Sequence, residues 1–303
     1  MYEEIARNKR RTFLMLALFA LLIAALVVAF NYLLGFGVFG FAIAIVVAIA
    51  MAWGSYYNSD KIALRVSRAR PADGPEFQRY HNLVEGLCIA AGLPKPRLYV
   101  VDDPAPNAFA TGRDPEHAAV AVTTGLLETM NRVELEGVIA HELSHVKNYD
   151  IRVTTIAVTA VGAIALLADI GLRFMWFGGG RRRGSNNSGG AGGILAIVAL
   201  VLLVVAPIIA VLMKAAMSRK RELLADATGV QLTRYPPGLI SALEKLSADQ
   251  AVVRSASRAT EQLWIESPLE RKEGQAEHKG TWLNRAFNTH PPLEERIQIL
   301  KEM

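Results

Sequence analysis

Cysteine is nearly absent from this chain. A single residue in 303, Cys88, excludes any intrachain disulfide framework. A lone thiol suits a reducing compartment, and Cys88 reads as a small apolar side chain for a core. Charge is missing over a long stretch, with no Asp, Glu, Lys or Arg from Thr12 to Ser59. No soluble fold needs an uncharged run of that length, which argues against an ordinary soluble enzyme. The remaining charge is 33 basic against 28 acidic residues, a net +5. Its basic residues cluster beside the apolar runs, and membrane topology explains that placement. A nucleic-acid role has no motif behind it. The run Arg181–Arg183 is short, and its Gly, Ser and Asn neighbours offer no aromatic platform. With 52% hydrophobic and 20% charged residues, a disordered chain is excluded as well. No internal repeat of fixed period is present. At roughly 150 residues per domain, the length suits one large domain or two small ones.

The uncharged run is longer than one bilayer crossing, which takes about 20 residues. It breaks at Asn31 to Gly37, so two helices are expected near Phe13–Phe30 and Val38–Trp53. Arg7, Lys9, Arg10 and Arg11 precede the first, and Lys61, Arg65, Arg68 and Arg70 follow the second. Both ends are basic and should face the cytoplasm. A cleaved signal peptide is disfavoured, because no small-x-small site precedes a polar start and a second apolar helix follows at once. A second apolar pair lies between Val153 and Met213. Ile194–Met213 has the length of one crossing, whereas Val153–Phe177 is interrupted by Asp169 and Arg173, which can pair at i and i+4. The Gly/Ser/Arg-rich segment Gly178–Gly193 between them is a linker by composition. This pair either crosses the bilayer twice, placing Arg181–Arg183 outside against the positive-inside rule, or forms a re-entrant hairpin with those arginines on headgroups. Four segments follow: a membrane hairpin over 1–59, soluble protein over 60–152, a second membrane hairpin over 153–213, and soluble protein again over 214–303.

Within the soluble parts, Phe77, Tyr80, Leu83, Leu87 and Cys88 recur at helical spacing, so a helix is expected over Pro75–Gly92. Arg97–Val101 reads as a strand, with shorter strand candidates at Asn107–Thr111 and Ala118–Thr123. Helices are expected over Val133–Asp150, Leu212–Thr233 and Pro237–Leu246, and from about Pro292 to the end. Ser247–Lys279 is polar and poorly patterned.

The strongest chemical signal is His141-Glu142-Leu143-Ser144-His145, an H-E-x-x-H on an expected helix. Residues i and i+4 share a helix face, so both imidazoles can bind one metal ion. Glu142 between them can act on water as general base, which favours hydrolysis over oxygen chemistry. A tetrahedral catalytic zinc needs a third protein ligand and an open position. Glu222 in Arg221-Glu222-Leu223-Leu224-Ala225-Asp226 can complete a His2Glu set, with His290 as the rival. Asp226, one turn beyond Glu222, can accept the free ring N–H of a ligand histidine, most plausibly His141. Two histidines and a carboxylate also suit non-haem iron. His290 is a candidate oxyanion donor. Asn107, Ala108 and Phe109 are candidates for a sheet edge that holds an extended substrate. Arg296 is a candidate for contact with substrate or with Asp226. Asp150 either braces the motif helix or marks the membrane interface.

His141-Glu142-Leu143-Ser144-His145-Val146 with Asp150, followed by Ser218 to Asp226, resembles the HtpX family of membrane zinc metallopeptidases. Asn107-Ala108-Phe109-Ala110-Thr111-Gly112 and Thr289-His290-Pro291-Pro292 match that family's pattern too. So does the order of two apolar helices, H-E-x-x-H, two apolar segments and Glu motif. The related CAAX prenyl proteases share both metal motifs but carry more membrane helices. The resemblance implies a multi-pass endopeptidase of the cell membrane whose catalytic domain faces the cytoplasm. Its expected role is quality control, cleaving misfolded or damaged membrane proteins and unfolded proteins. It also implies one zinc ion per chain on His141, His145 and Glu222, with Glu142 as catalytic base. The expected fold class is α+β, mostly helical: a polytopic membrane protein with a gluzincin-like protease domain, carrying a small sheet and interrupted by a membrane hairpin. The competing functions are a membrane metal hydrolase of a narrow or prenylated substrate and a non-catalytic membrane scaffold. An intact Glu142 speaks against the scaffold, because a structural site needs no base.

Overall fold

The computed structural model describes residues 6–18, 20–21, 24, 37–157, 219–249, 253, 263–265 and 291–303. The expected helix at Phe13–Phe30 lies largely outside these residues. So do nearly all of the second apolar pair, the Gly178–Gly193 linker, most of Ser247–Lys279, and Thr289 with His290. Residues 6–18 form helix α1, and Gly37–Val66 form α2, which contains the helix expected at Val38–Trp53. Among the described residues no helix is long and apolar enough to cross a membrane.

The sheet is small and mixed. Its strands are β1 (Arg70–Pro71), β2 (Arg97–Val101), β3 (Ala108–Gly112) and β4 (Ala118–Thr123). They lie in the order β1-β2-β4-β3, with β2 and β4 parallel and the other pairs antiparallel. Every residue of β3 and β4 is buried, so both faces of the sheet are covered. The period-2 alternation divides them. Leu98, Val100, Ala108, Ala110, Val120 and Val122 enter the main core, which they share with the surrounding helices. Val101, Phe109, Ala119 and Ala121 face the other way, onto Ala63 and Leu64 of α2 and onto Leu263 and Trp264.

The helices of the main core are α3 (Gln78–Ala91), α4 (Thr124–Thr129), α5 (Arg132–Lys147), α7 (Arg219–Thr233), α8 (Pro236–Ala248) and α9 (Leu293–Lys301). The expected helix at Pro75–Gly92 opens with a 3-10 turn, Pro75–Phe77, before α3 begins. It closes at Gly92, whose φ of 66° is the left-handed conformation that glycine adopts without strain. α4 carried no sequence signal; Thr123 caps it by accepting from the Leu126 N–H. The expected helix at Val133–Asp150 is interrupted. α5 stops at Lys147, and Asn148 and Tyr149 make a turn in which Tyr149 has φ 60°. Residues 150–157 then form a separate helix, α6.

α5 is the central element. Asn131 and Glu134 form a reciprocal capping box at its start. Glu134 also accepts from Ser241 Oγ and Lys245 Nζ of α8, each at 2.7 Å. Leu135, Val138, Ile139, Ala140, Leu143 and Val146 are all buried, so the helix is enclosed on every side. Two glycines permit that enclosure. A Cβ on Gly229 of α7 would lie 3.1 Å from His141 N, so α7 packs directly on the backbone of α5. A Cβ on Gly137 would lie 2.8 Å from Leu239 N and 2.9 Å from Leu239 Cα. Gly137→Ala therefore forces α5 and α8 apart. It is expected to cost about 1–3 kcal/mol, as overpacking of a dense core does. A lowered unfolding midpoint checks this; an unchanged midpoint would show that the two helices part freely.

Candidate metal centre

His141 and His145 stand one turn apart on α5, and α7 brings Glu222 opposite them. His141 Nε2 and His145 Nε2 are 3.1 Å apart. Glu222 Oε2 lies 3.7 Å from His141 Nε2, and Glu222 Oε1 lies 3.7 Å from His145 Nε2. One ligand atom from each of the three lies within 4.8 Å of the others. The His145 side chain is 15% exposed and that of Glu222 10%, whereas His141 is 1% exposed, so the cluster opens on the His145 and Glu222 side.

The ring nitrogens facing away are held by carboxylates. Asp226, one turn after Glu222, lies 2.8 Å from His141 Nδ1. Asp150, at the start of α6, lies 3.2 Å from His145 Nδ1. Each Nδ1–H is thereby donated, and each imidazole is left to present a lone pair at Nε2. Two lone pairs at 3.1 Å and a carboxylate beside them make a set that fits a divalent cation. Burial alone would lower the His145 pKa, but the hydrogen bond to Asp150, with Glu222 and Glu142 nearby, raises it to about 9. His141 moves the other way: burial lowers it, and Asp226 does not offset that in the presence of Arg296 and His145.

Asp226 is itself buried and is matched by Arg296 of α9. Arg296 Nε donates to Asp226 Oδ2 at 2.8 Å and Nη2 to Oδ1 at 2.7 Å, a bidentate pair. Burial would raise the Asp226 pKa, but Arg296 and His141 hold it well below the carboxylate range. Arg296 Nη1 donates to the Ile265 carbonyl at 3.2 Å. Arg296 thus stands behind His141, fully buried, and not on the open side where a substrate contact was considered. Of the two contacts considered for it, the structure places the one to Asp226.

Glu142 is buried beside the cluster, with the Ala110 N–H of β3 near its carboxylate. Burial, reinforced by the nearby Glu222 carboxylate, pushes its pKa up to about 7 against the opposing pull of His145, Arg296 and Ala110. Asn107, Ala108 and Phe109 lie on or just before β3, the strand beside α5. All three are buried. Asn107 Oδ1 accepts from the Ala108 N–H, Phe109 packs edge-on against Trp264 at 4.7 Å, and Ile265 N donates to the Ala108 carbonyl at 2.9 Å. The edge expected to be free is thus bonded at Ala108. Asp150 braces the motif helix through its contact with His145 Nδ1. Asn8 was missed: its amide donates to Asp150 Oδ1 at 2.7 Å and to the Asn148 carbonyl at 2.9 Å. Nothing in the local sequence distinguishes it from an ordinary polar residue in a basic flank. The rival ligand and oxyanion donor His290 lies outside the described residues.

The model of peptidase family M48 matches residues 74–303. A protein named Protease HtpX homolog from Caldanaerobacter subterraneus subsp. tengcongensis is 44% identical over 303 residues, covering 100% of this chain and 98% of its own. One of the same name from Streptococcus mutans is 45% identical over 307 residues, covering 100% of both chains. The chain belongs to the HtpX proteases of peptidase family M48. Among solved structures, S. mikatae Ste24p aligns with TM-score 0.47 and 17% identity, covering 99% of this chain and 67% of that one. Membership makes the chain a metalloprotease, and His141, His145 and Glu222 are a cluster that could hold its metal.

The ion pair behind His141 has a measurable consequence. Arg296→Leu leaves the Asp226 charge buried without its partner, at an expected cost of about 3–5 kcal/mol. Adding Asp226→Asn removes that charge and should restore part of the loss. Unfolding midpoints of the single and double variants check this; a midpoint unchanged in Arg296→Leu would show that Asp226 is matched by other groups.

Proposed function

We propose that this HtpX protease is a membrane-embedded zinc endopeptidase of protein quality control, cleaving misfolded membrane proteins and unfolded chains. The observation that carries the reading is the convergence of His141, His145 and Glu222 within 4.8 Å, with buried Glu142 next to the first histidine. His141, His145 and Glu222 hold one zinc ion. Asp226 and Asp150 fix the tautomer and orientation of the two imidazoles. Zinc, when bound, supplies Lewis acidity toward water and the scissile carbonyl. Glu142 takes the proton of the attacking water and delivers it to the leaving amine. A pKa near 7 suits a group that must do both. An extended substrate aligned on β3 exchanges the Ile265 hydrogen bond at Ala108 for one of its own, which reads backbone and little sequence.

The membrane reading rests on the uncharged stretch from Thr12 to Ser59 and the apolar span Ile194–Met213. Basic residues flanking the first stretch put the catalytic domain on the cytoplasmic side. Four membrane segments organised as two hairpins, with the second either crossing or re-entrant, interrupt a gluzincin-like catalytic unit made of 60–152 and 214–303.

The deciding experiment is digestion of an unfolded model protein by the detergent-purified full chain with zinc, alongside Glu142→Gln and Glu222→Ala. Glu142→Gln should keep about one zinc per chain and lose at least about 10²-fold in rate. Glu222→Ala should lose metal and activity together. Metal content equal in wild type and Glu222→Ala would overturn the ligand assignment. Wild type binding zinc yet inert toward unfolded protein would overturn the broad substrate class and favour a narrow or prenylated one.

Metal affinity should follow the His145 proton. Its pKa is raised to about 9, so below that pH binding must displace a proton. Apparent zinc affinity is expected to climb about tenfold per pH unit from 7 to 9 and to level off above. Chelator competition across that range checks it; a flat profile would show that His145 is already neutral at pH 7.

A further inference from the structure

Asn8 comes from the basic flank ahead of the first apolar stretch, yet it is fully buried. It stands 142 positions away in sequence from Asp150, the carboxylate that holds His145. Its side-chain nitrogen works as a two-pronged donor. One hydrogen goes to Asp150 Oδ1 at 2.7 Å and the other to the Asn148 carbonyl at 2.9 Å. Its own Oδ1 is buried and meets no donor among the described residues. The bonds run one way, from Asn8 toward the α5–α6 turn.

That turn needs holding. Tyr149 adopts a left-handed φ of 60°, a conformation that strains a non-glycine residue. This turn ends α5 and starts α6 at Asp150, whose Oδ2 lies 3.2 Å from His145 Nδ1. The neighbours of Asn8 clasp the same region. Lys9 Nζ sits 5.0 Å from the Tyr149 ring centroid. One turn and more further along α1, Met15 packs with Val153, Ile156 and Ala157 of α6. On the far side of Asp150, Arg221 lies at 3.8 Å and α5 presents His145. α1 therefore braces α6 along its length, and its one buried amide ends on the carboxylate that orients a histidine of the metal cluster.

We infer that Asn8 is a positioning residue for His145, acting through Asp150, so that the N-terminal helix is part of the frame of the metal site. The inference rests on the zinc reading proposed above. With the amide in place, Asp150 keeps one oxygen for Asn8 and the other for the His145 Nδ1–H, and the imidazole has one orientation. Without it, Asp150 swings toward Arg221 and His145 loses its fixed rotamer. The chain then holds metal less tightly although all three ligands remain.

The test is zinc affinity of the full-length, detergent-purified chain by chelator competition, with cobalt substitution to read ligand geometry from visible absorption. Asn8→Ala removes the donor and should weaken zinc about tenfold, the lower end of the range for loss of an outer partner. Asn8→Asp keeps the shape but sets a carboxylate against Asp150, and should weaken it further. The double variant Asn8→Asp with Asp150→Asn restores a donor–acceptor pair and should recover part of that loss. A pure packing role predicts the opposite order, with near-isosteric Asn8→Asp binding zinc more tightly than Asn8→Ala. That order, or equal affinity in all the variants, would overturn the inference. Should Asn8→Asp fail to fold, the cobalt spectrum of Asn8→Ala decides: a spectrum identical to wild type overturns the inference, and an altered one supports it. Wild type that binds no zinc at all would instead overturn the metal reading itself.

Discussion

Two histidines one helical turn apart can serve one cation when each ring turns a lone pair toward it, and here both turn Nε2. An imidazole left to itself shares its proton between two tautomers and its ring among several rotamers. Here each Nδ1 lies against a buried carboxylate, 2.8 Å away for His141 and 3.2 Å for His145. The neighbouring architecture follows from bringing those two carboxylates into place. Asp226 arrives on α7, which also carries Glu222. Asp150 arrives by the sharp turn that separates α5 from α6.

Buried carboxylates carry a desolvation cost, and the fold meets it differently on the two sides. Asp226 lies deepest and receives a fully buried arginine in bidentate contact. That arginine comes from the last helix of the chain, so the C-terminal segment closes the back of the site. Asp150 lies beside the partly open histidine and receives a neutral amide at 2.7 Å, with Arg221 more distant at 3.8 Å. The amide comes from the first helix. One carboxylate is thus matched by a charge and the other by a dipole.

The small sheet sets the other boundary. Strand β3 turns Ala108 and Ala110 toward the core it shares with α5, so the helix packs close to this strand. Deep burial there pushes the Glu142 pKa up to about 7 against the pull of His145. On the opposite face, Phe109 and Trp264 stack edge-on, and Ile265 bonds to Ala108. Ile265, which bonds the edge of β3, also supplies the carbonyl that Arg296 Nη1 contacts, so edge and ion pair share one residue.

Much of the site was legible in the sequence because helical geometry is local. The spacing of His141 and His145, with Glu142 between, dictates a shared face wherever that helix lies. The spacing of Glu222 and Asp226 does the same on α7. Strand β2 and the helices α3, α5 and α8 were legible for the same reason, from periodicity and capping residues. What periodicity could not show was where a helix ends. The pattern of α5 runs on past Lys147 without a Gly or Pro, yet the helix stops there and Tyr149 takes a left-handed conformation. Nor could it show which long-range partners satisfy buried charges. Asp226 with Arg296 and Asp150 with Asn8 are separated by 70 and 142 positions, and no local rule links them. The sequence by itself determined the metal-binding chemistry, because ligand spacing on a helix is a property of the helix. Only the tertiary structure decided how the two imidazoles are oriented, because a buried carboxylate and its partner are chosen by what the folded chain brings within hydrogen-bond reach.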